Sequence, residues 1–289
     1  MLNKFRFTIT IAIIASLVFA FANPVSVFAA GLPDTEGTVC GAHVERLVAL
    51  GIINGYPDGT FKPERNISRA EFAKIAITAL NLEKAAAIAK GPTAFADVAP
   101  DNWAAGYINI AAGIGLVKGY PNGSFKPENN ITYAEALTIL VRAAGYSPAA
   151  ESSGTWPVNY LAKAAELGIT RGVSAGTGDL ATRGYIAILV DNALTVPMMI
   201  RVGTGSAARY VISGTDGTAE KTMLSGLSVE TFDGIIVSTP GYGAVSGRIR
   251  VIKPGVMEPG AGGEYPKSEE FECVGIGNPD AFIGLEAKL

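Results

Sequence analysis

GIINGYPDGTFKPERNISRAE, Gly51 to Glu71, recurs as GLVKGYPNGSFKPENNITYAE, Gly115 to Glu135, at an offset of 64 residues without a gap. Gly, Tyr-Pro, Gly, Phe-Lys-Pro-Glu, Asn-Ile and Ala-Glu return in register. A third, more divergent copy, GITRGVSAGTGDLATRGYIAILVDNAL, runs from Gly168 to Leu194 with a loop about three residues shorter. A repeat of this length is one supersecondary unit that cannot bury its apolar face alone. Three copies are therefore expected to close a shared core.

Each copy reads helix, loop, helix. Val44, Leu47 and Val48 make one apolar stripe on the first helix. Ile108, Ala111 and Ala112 repeat it in the second copy, and Leu161, Ala164 and Ala165 in the third. Gly51, Gly115 and Gly168 come next, where a helix end calls for a left-handed residue. Pro57 and Asp58-Gly59 are turn chemistry, and Phe61 and Phe125 are expected to plug the loop onto the core.

The second helices open with Ser68-Arg69-Ala70-Glu71 and Thr132-Tyr133-Ala134-Glu135. Both read as capping boxes, which assigns Ser68, Glu71, Thr132 and Glu135 to the backbone. Thr182-Arg183-Gly184-Tyr185 keeps the cap and lacks the glutamate. Phe72, Ile75, Ala76, Ala79 and Leu80 are expected to form one buried face. Ile186, Leu189, Val190, Ala193 and Leu194 reproduce it in the third copy.

The front of the chain reads as a leader. Lys4 and Arg6 precede an apolar run from Ile9 to Ala22, closed by Val27-Phe28-Ala29-Ala30. That pattern reads as a secretory signal peptide over residues 1–29 in preference to a membrane-spanning anchor, because the run is short for a bilayer span. No later segment is apolar and long enough to cross a membrane. Of 23 basic residues the leader holds 2, leaving 21 against 26 acidic ones, a net charge of −5. A mildly acidic chain without a basic cluster argues against nucleic acid as a partner.

The remaining chemistry-bearing residues form no familiar site. Cys40 and Cys273 are the two cysteines, at opposite ends of the chain. Cys40 is read as a small buried thiol rather than part of a disulfide scaffold. His43, the sole histidine, aligns with Tyr107 and Tyr160 and is read as a packing or rim contact. A single histidine without paired cysteines assembles no zinc site, so neither metal nor cofactor is expected. No serine, cysteine or carboxylate pair lies in a catalytic motif, and no enzymatic activity is expected.

The pattern Phe95-x-Asp97-Val98, Trp103-Ala104, Gly115, Gly123-x-Phe125-x-Pro127 and Ile131-Thr132-x-Ala134-Glu135 resembles the S-layer homology (SLH) module of clostridial- and bacillus-type surface proteins. The resemblance covers roughly Thr38 to Pro197. It implies a mainly α fold, three modules in a pseudo-three-fold helical spindle, with modules at 30–84, 85–147 and, degenerate, 148–197. It also implies non-covalent attachment to a pyruvylated secondary cell wall polysaccharide on peptidoglycan, and a place in the cell wall or S-layer. Carried over residue by residue, it nominates Arg69 and Arg183 as polysaccharide-binding, with Trp103, Trp156, Asp97, Tyr56 and Tyr120 as further contacts. Tyr133 stands where the second copy's arginine would be.

Each arginine occupies the first helical position, where it is expected to point outward, beside unpaired N–H groups that suit a carboxylate. Trp103 and Trp156, aligned with Val39, read equally as a flat face for a sugar or as core. Thr182 is assigned to capping. From Met198 onward Gly, Val, Ile and Thr dominate, with apolar runs at 209–213, 234–238 and 247–252. That reads as a small β-rich domain over 198–253, then an irregular Gly/Pro-rich tail at 254–289. The alternatives to wall anchoring are a surface-layer or filament subunit, self-associating through the C-terminal region, and a wall-associated glycoside hydrolase. The latter would need its active site within about ninety residues, which show no paired acids in a cleft-like setting.

Overall fold

The computed structural model describes residues 32–227 in full, and the backbone of four strands beyond them at 233–238, 248–252, 269–272 and 286–288. The leader and Cys273 lie outside the described residues, among which no helix is long and apolar enough to cross a membrane. The described chain is mainly helical. Its helices are α1 Gly41–Ala49, α2 Arg69–Ala79, α3 Glu83–Ile88, α4 Ala105–Gly113, α5 Tyr133–Ala143, α6 Ser147–Ser152, α7 Val158–Glu166, α8 Arg183–Leu194 and α9 Met223–Gly226.

The first helix of each copy, α1, α4 and α7, stops in the same way. Gly51, Gly115 and Gly168 sit at φ of 69°, 76° and 74°. In the first copy the Gly51 N–H donates to Val48 O and the Ile52 N–H to Leu47 O, and the other copies repeat the pair. This Schellman arrangement satisfies the last helical carbonyls and turns the chain into the loop. Phe61 and Phe125 then plug the core, both essentially without exposure.

The second helices, α2, α5 and α8, each touch the other two. Each also takes the first helix of a neighbouring copy: α4 packs on α2, α7 on α5, and α1 on α8. The copies therefore exchange helices in a cycle that closes on itself. Between Ala73 and Ala79 every residue of α2 except Lys74 is buried, Thr78 among them. One buried face was expected from the sequence, but a central helix is enclosed on nearly every side.

The closing contact of the cycle carries charge. His43 Nδ1 on α1 lies 2.6 Å from Asp191 Oδ2 on α8, and Arg46 also pairs with Asp191. His43 is thus a rim contact of an ion cluster. Cys40 is 5% exposed, as its alignment with Ala104 anticipated.

Just before the central helices the three copies meet in a ring. Ile67 N–H donates to Ala181 O, Ala181 N–H to Ile131 O, and Ile131 N–H to Ile67 O, at 2.9 to 3.1 Å. Isolated bridges pair Asn66 with Thr182, Ser68 with Asn130, and Thr132 with Leu180 around it.

The segment after α8 is part of the helical body through Leu227. Strand β1, Met199–Val202, pairs antiparallel with β2, Arg209–Ile212. Met199 N–H donates to Ala144 O and Tyr146 Oη to Pro197 O. Met223 of α9 is buried in the shared core, and Asn81 Nδ2 donates to Gly226 O. Residues 197–227 thus contact the C-terminal ends of α2 and α5, opposite the ring, and the boundary expected at residue 198 does not separate them from the repeats. Strands β3 Asp233–Ser238, β4 Arg248–Ile252, β5 Glu269–Glu272 and β6 Glu286–Lys288 form an antiparallel sheet in the order β5-β4-β3-β6. Two of these strands fall in the tail expected to be irregular. Glu269-Glu270-Phe271-Glu272 lacks an apolar alternation, yet its register sets Glu272 opposite Arg248 and Glu270 opposite Arg250.

Candidate functional site

The capping boxes are present as read. Glu71 N–H donates to Ser68 Oγ and Ser68 N–H to Glu71 Oε2, and Thr132 with Glu135 repeat both bonds. Thr182 Oγ1 caps Tyr185 N–H alone. The first N–H groups of these helices are not free, however. Arg69 and Ala70 donate to Asn129 O and Pro127 O, Tyr133 to Asp179 O, and Arg183 and Gly184 to Arg65 O and Pro63 O. Each helix start is sealed by the loop of a neighbouring copy, which corrects the expectation of an open helix N-terminus.

The arginines are corrected in the same sense. Arg69 is 6% exposed and Arg183 9%. Each reaches into the loop of the neighbouring copy instead of outward. Arg69 Nε donates to Phe125 O at 2.8 Å and Nη1 to Glu135 Oε1 at 2.8 Å. Its Cζ stands 4.7 Å from the Tyr120 ring centroid and 4.9 Å from that of Phe125. Arg183 Nε donates to Phe61 O at 2.8 Å and Nη2 to Asn54 O at 3.1 Å. Its Cζ stands 4.7 Å from Tyr56 and 4.5 Å from Phe61. A guanidinium between two ring faces gains cation–π attraction that a desolvated site strengthens. Burial pulls the Arg183 guanidinium below its ordinary pKa, against the raising effect of Tyr56, Glu71 and Asp34.

Each cage leaves one terminal nitrogen uncommitted: Nη2 of Arg69 and Nη1 of Arg183 have no partner among the described residues. Thr78 Oγ1 is the single fully buried side-chain N or O atom without a partner among the described residues. The two arginine nitrogens are the donors left over in the cages.

Asp97 supports the cage from behind. Its two carboxylate oxygens accept from Phe125 N–H at 2.8 Å and Lys126 N–H at 2.7 Å. Asp34 does the same for Phe61 and Lys62, at 2.7 and 2.6 Å. Burial alone would raise these carboxyls, but the backbone N–H donors hold both below the usual range. The lysines so held sit at φ of 57° and 59°, a conformation that costs a non-glycine residue roughly 1–2 kcal/mol. That backbone turn aims Lys126 Nζ over the Tyr120 ring at 4.4 Å and Lys62 Nζ over Tyr56 at 4.6 Å.

Of the nominated residues, the structure gathers Arg69, Tyr120 and Asp97 at one site, and Arg183 and Tyr56 at a second. Trp103 and Trp156 are elsewhere. Among the described residues neither shares a hydrogen bond or a cation–π contact with a cage residue. Both indoles are largely exposed, at 52% and 56%, which removes the core reading. Trp156 Nε1 donates to Thr138 Oγ1 at 3.0 Å. Sequence reasoning missed Lys62, Lys126, Phe61 and Phe125 as site residues, and Asp34 altogether. Asp34 was findable: Leu32-Pro33-Asp34 stands 63 residues before Phe95-Ala96-Asp97, one residue out of the main register.

The third junction has none of this chemistry. Tyr133 replaces the arginine and Tyr185 the glutamate, and the shortened loop carries Val173 at the tyrosine position. Tyr133 is buried, and burial raises its pKa, with Tyr185 adding to the shift.

The chain is 43% identical over 170 residues to the middle cell wall protein of Brevibacillus brevis, covering 59% of this chain and 16% of that protein. It is 34% identical over 220 residues to a cell surface protein of Thermoanaerobacter kivui, covering 74% of this chain and 28% of that one. It is 38% identical over 125 residues to the cellulosome-anchoring protein of Acetivibrio thermocellus, covering 41% and 27%. The chain thus spans less than a third of each relative's length. Residues 33–73 and 94–137, the loop-bearing parts of the first two copies, match the S-layer homology domain.

Proposed function

We propose that the helical repeats attach an exported protein non-covalently to the cell wall by binding a pyruvylated secondary wall polysaccharide. The observation that carries this reading is the pair of buried arginines, each between two aromatic rings and each keeping one terminal nitrogen without a partner among the described residues. A ketal-linked pyruvate supplies one carboxylate and a compact methyl-bearing ring. The free Nη donates to the former, and the Tyr and Phe faces suit the latter. Lys126 and Lys62 add positive charge at the mouth of each site.

The S-layer homology segments and the relatives named for cell walls, cell surfaces and cellulosome anchoring support a surface location and an anchoring role. Trp103 and Trp156 extend the reading: exposed indoles on the flanks suit sugar units farther along the polymer. The third copy is read as a degenerate module that lends Arg183 to the second site and whose own loop forms no third one.

A second reading, a subunit of a surface layer, is favoured by a 41% identical stretch in a surface layer protein of Brevibacillus choshinensis. In that case the strands beyond residue 227 would make subunit contacts. Co-sedimentation of the secreted chain with native wall sacculi, beside sacculi stripped of secondary polymer, decides between them. Binding to native sacculi only supports anchoring through the polymer, and equal binding to both overturns it. Sheets or filaments formed without wall material would favour the lattice.

A further inference from the structure

The two arginine sites are built on the same plan but differ in charge. At the first, Arg69 Nη1 is ion-paired with Glu135 Oε1 at 2.8 Å. At the second, the equivalent carboxylate is Glu71, and Arg183 has no carboxylate within ion-pair distance among the described residues. Glu71 Oε1 is held instead by Arg65 Nη1 at 3.1 Å, and the same nitrogen reaches Tyr56 Oη. The second copy has Asn129 where the first has Arg65, so nothing there draws Glu135 away from Arg69.

We propose that the two sites are unequal anion receptors and that Arg65 is the positioning residue that makes them so. Resting on the wall-binding reading above, this assigns the sugar carboxylate first to Arg183. There the guanidinium is buried without a carboxylate in ion-pair contact, and an incoming anion has no paired carboxylate to share it with. At Arg69 an incoming carboxylate must share a guanidinium that Glu135 already neutralises. The chain therefore holds one strong and one weak anionic sugar, and no third at the Tyr133–Tyr185 junction.

Calorimetric titration of the secreted full-length chain with a methyl hexoside carrying a 4,6-pyruvate ketal tests this. Two classes of site separated by about ten-fold or more are expected, the factor for one charge-assisted hydrogen bond. No binding at all would defeat the wall-polymer reading itself. Two equal sites, or a strong site lost in Arg69→Lys and kept in Arg183→Lys, would defeat only this inference.

Two reciprocal variants locate the cause. Glu135→Gln keeps a residue able to serve the capping box and removes the competing charge, so the weak site should tighten toward the strong one. Arg65→Asn, at a half-exposed side chain, should release Glu71 onto Arg183 and weaken the strong site. Adding Glu71→Gln to Arg65→Asn should restore it, because no carboxylate remains to compete. A strong site still weakened in the double variant would mean that Arg65 touches the sugar directly, and the positioning role would fall. Thermal unfolding of each variant, matched to the parent, separates these effects from loss of fold.

Discussion

Arg183 Cζ lies 4.7 Å from the centroid of the Tyr56 ring, although the two residues belong to the last and first copies of the repeat. The contact joins the ends of the helical array, and Arg69 over Tyr120 joins the first copy to the second. Each arginine is a structural tie between copies before it is anything else. This reverses what a solvent-facing arginine would imply for mutagenesis.

Arg183→Ala should therefore lower stability markedly. It strips Phe61 O and Asn54 O of their donor and opens a void between two rings. A loss of about 2–4 kcal/mol is expected, well above the ~0.5 kcal/mol typical of surface substitutions. Arg69→Ala should lose a similar amount and also strand Glu135. Urea unfolding monitored by circular dichroism reads both, and a midpoint unchanged in either variant would contradict the buried placement.

Asp34 and Asp97 set a pH dependence. Their folded-state values lie below the ordinary carboxyl range because backbone N–H donors outweigh burial. Their contribution is thus complete above the unfolded-state value, about 3.9 for aspartate. It is lost as pH falls through the lower folded-state values. The unfolding midpoint should hold from neutrality to about pH 5 and drop below about pH 4. Asp97→Asn should cost roughly 1–2 kcal/mol at neutral pH, since its amide turns an N–H toward a backbone donor. Its acid-induced drop should be smaller than the parent's, and an identical pH profile would exclude Asp97 as a contributor.

Whether a feature was legible in the sequence depends on how local its interactions are. The Schellman turns at Gly51 and Gly115 and the caps at Ser68 and Thr132 depend on neighbours within a few residues, and the repeat displays them. The position of Arg69 is set by Phe125 and Glu135, across the junction between copies. An alignment of copy on copy places equivalent residues side by side, whereas the structure pairs each copy with the next one. The cyclic exchange α1 on α8 is likewise invisible to periodicity, because it joins elements more than a hundred residues apart. So is the pairing of β5 with β4, where charged residues and not an apolar alternation occupy the strand.

Gly145 tests the attachment of the segment after the repeats. Its φ is 84°, and an added Cβ would stand 2.1 Å from Met199 O, a backbone atom that cannot turn away. Gly145→Ala should cost at least about 2 kcal/mol, strain and clash together. Faster amide exchange is expected at Met199, whose N–H bonds Ala144 O at 2.9 Å. Gly51→Ala is the comparison: its φ is 69° but an added Cβ meets nothing within 4 Å, leaving only about 1–2 kcal/mol of left-handed strain. Equal losses in the two variants would mean that β1 does not pack on the end of α5.

Tyr133→Arg asks whether an arginine alone makes a site. Tyr133 is 5% exposed at the third junction, beside Tyr185 and a loop about three residues shorter than its counterparts. That loop has no equivalent of the Phe-Lys-Pro turn, so the carbonyl that accepts from Nε in the other copies has no counterpart. Val173 replaces the aromatic face and Tyr185 the carboxylate. A guanidinium forced into this junction is buried without its acceptors, which should cost about 3–5 kcal/mol. Wall binding per folded molecule should stay at the parent level, read by co-sedimentation below the variant's unfolding temperature. If Tyr133→Arg instead binds walls more tightly with little loss of stability, the loop contributes nothing specific, and the arginine at the helix start is sufficient for the site.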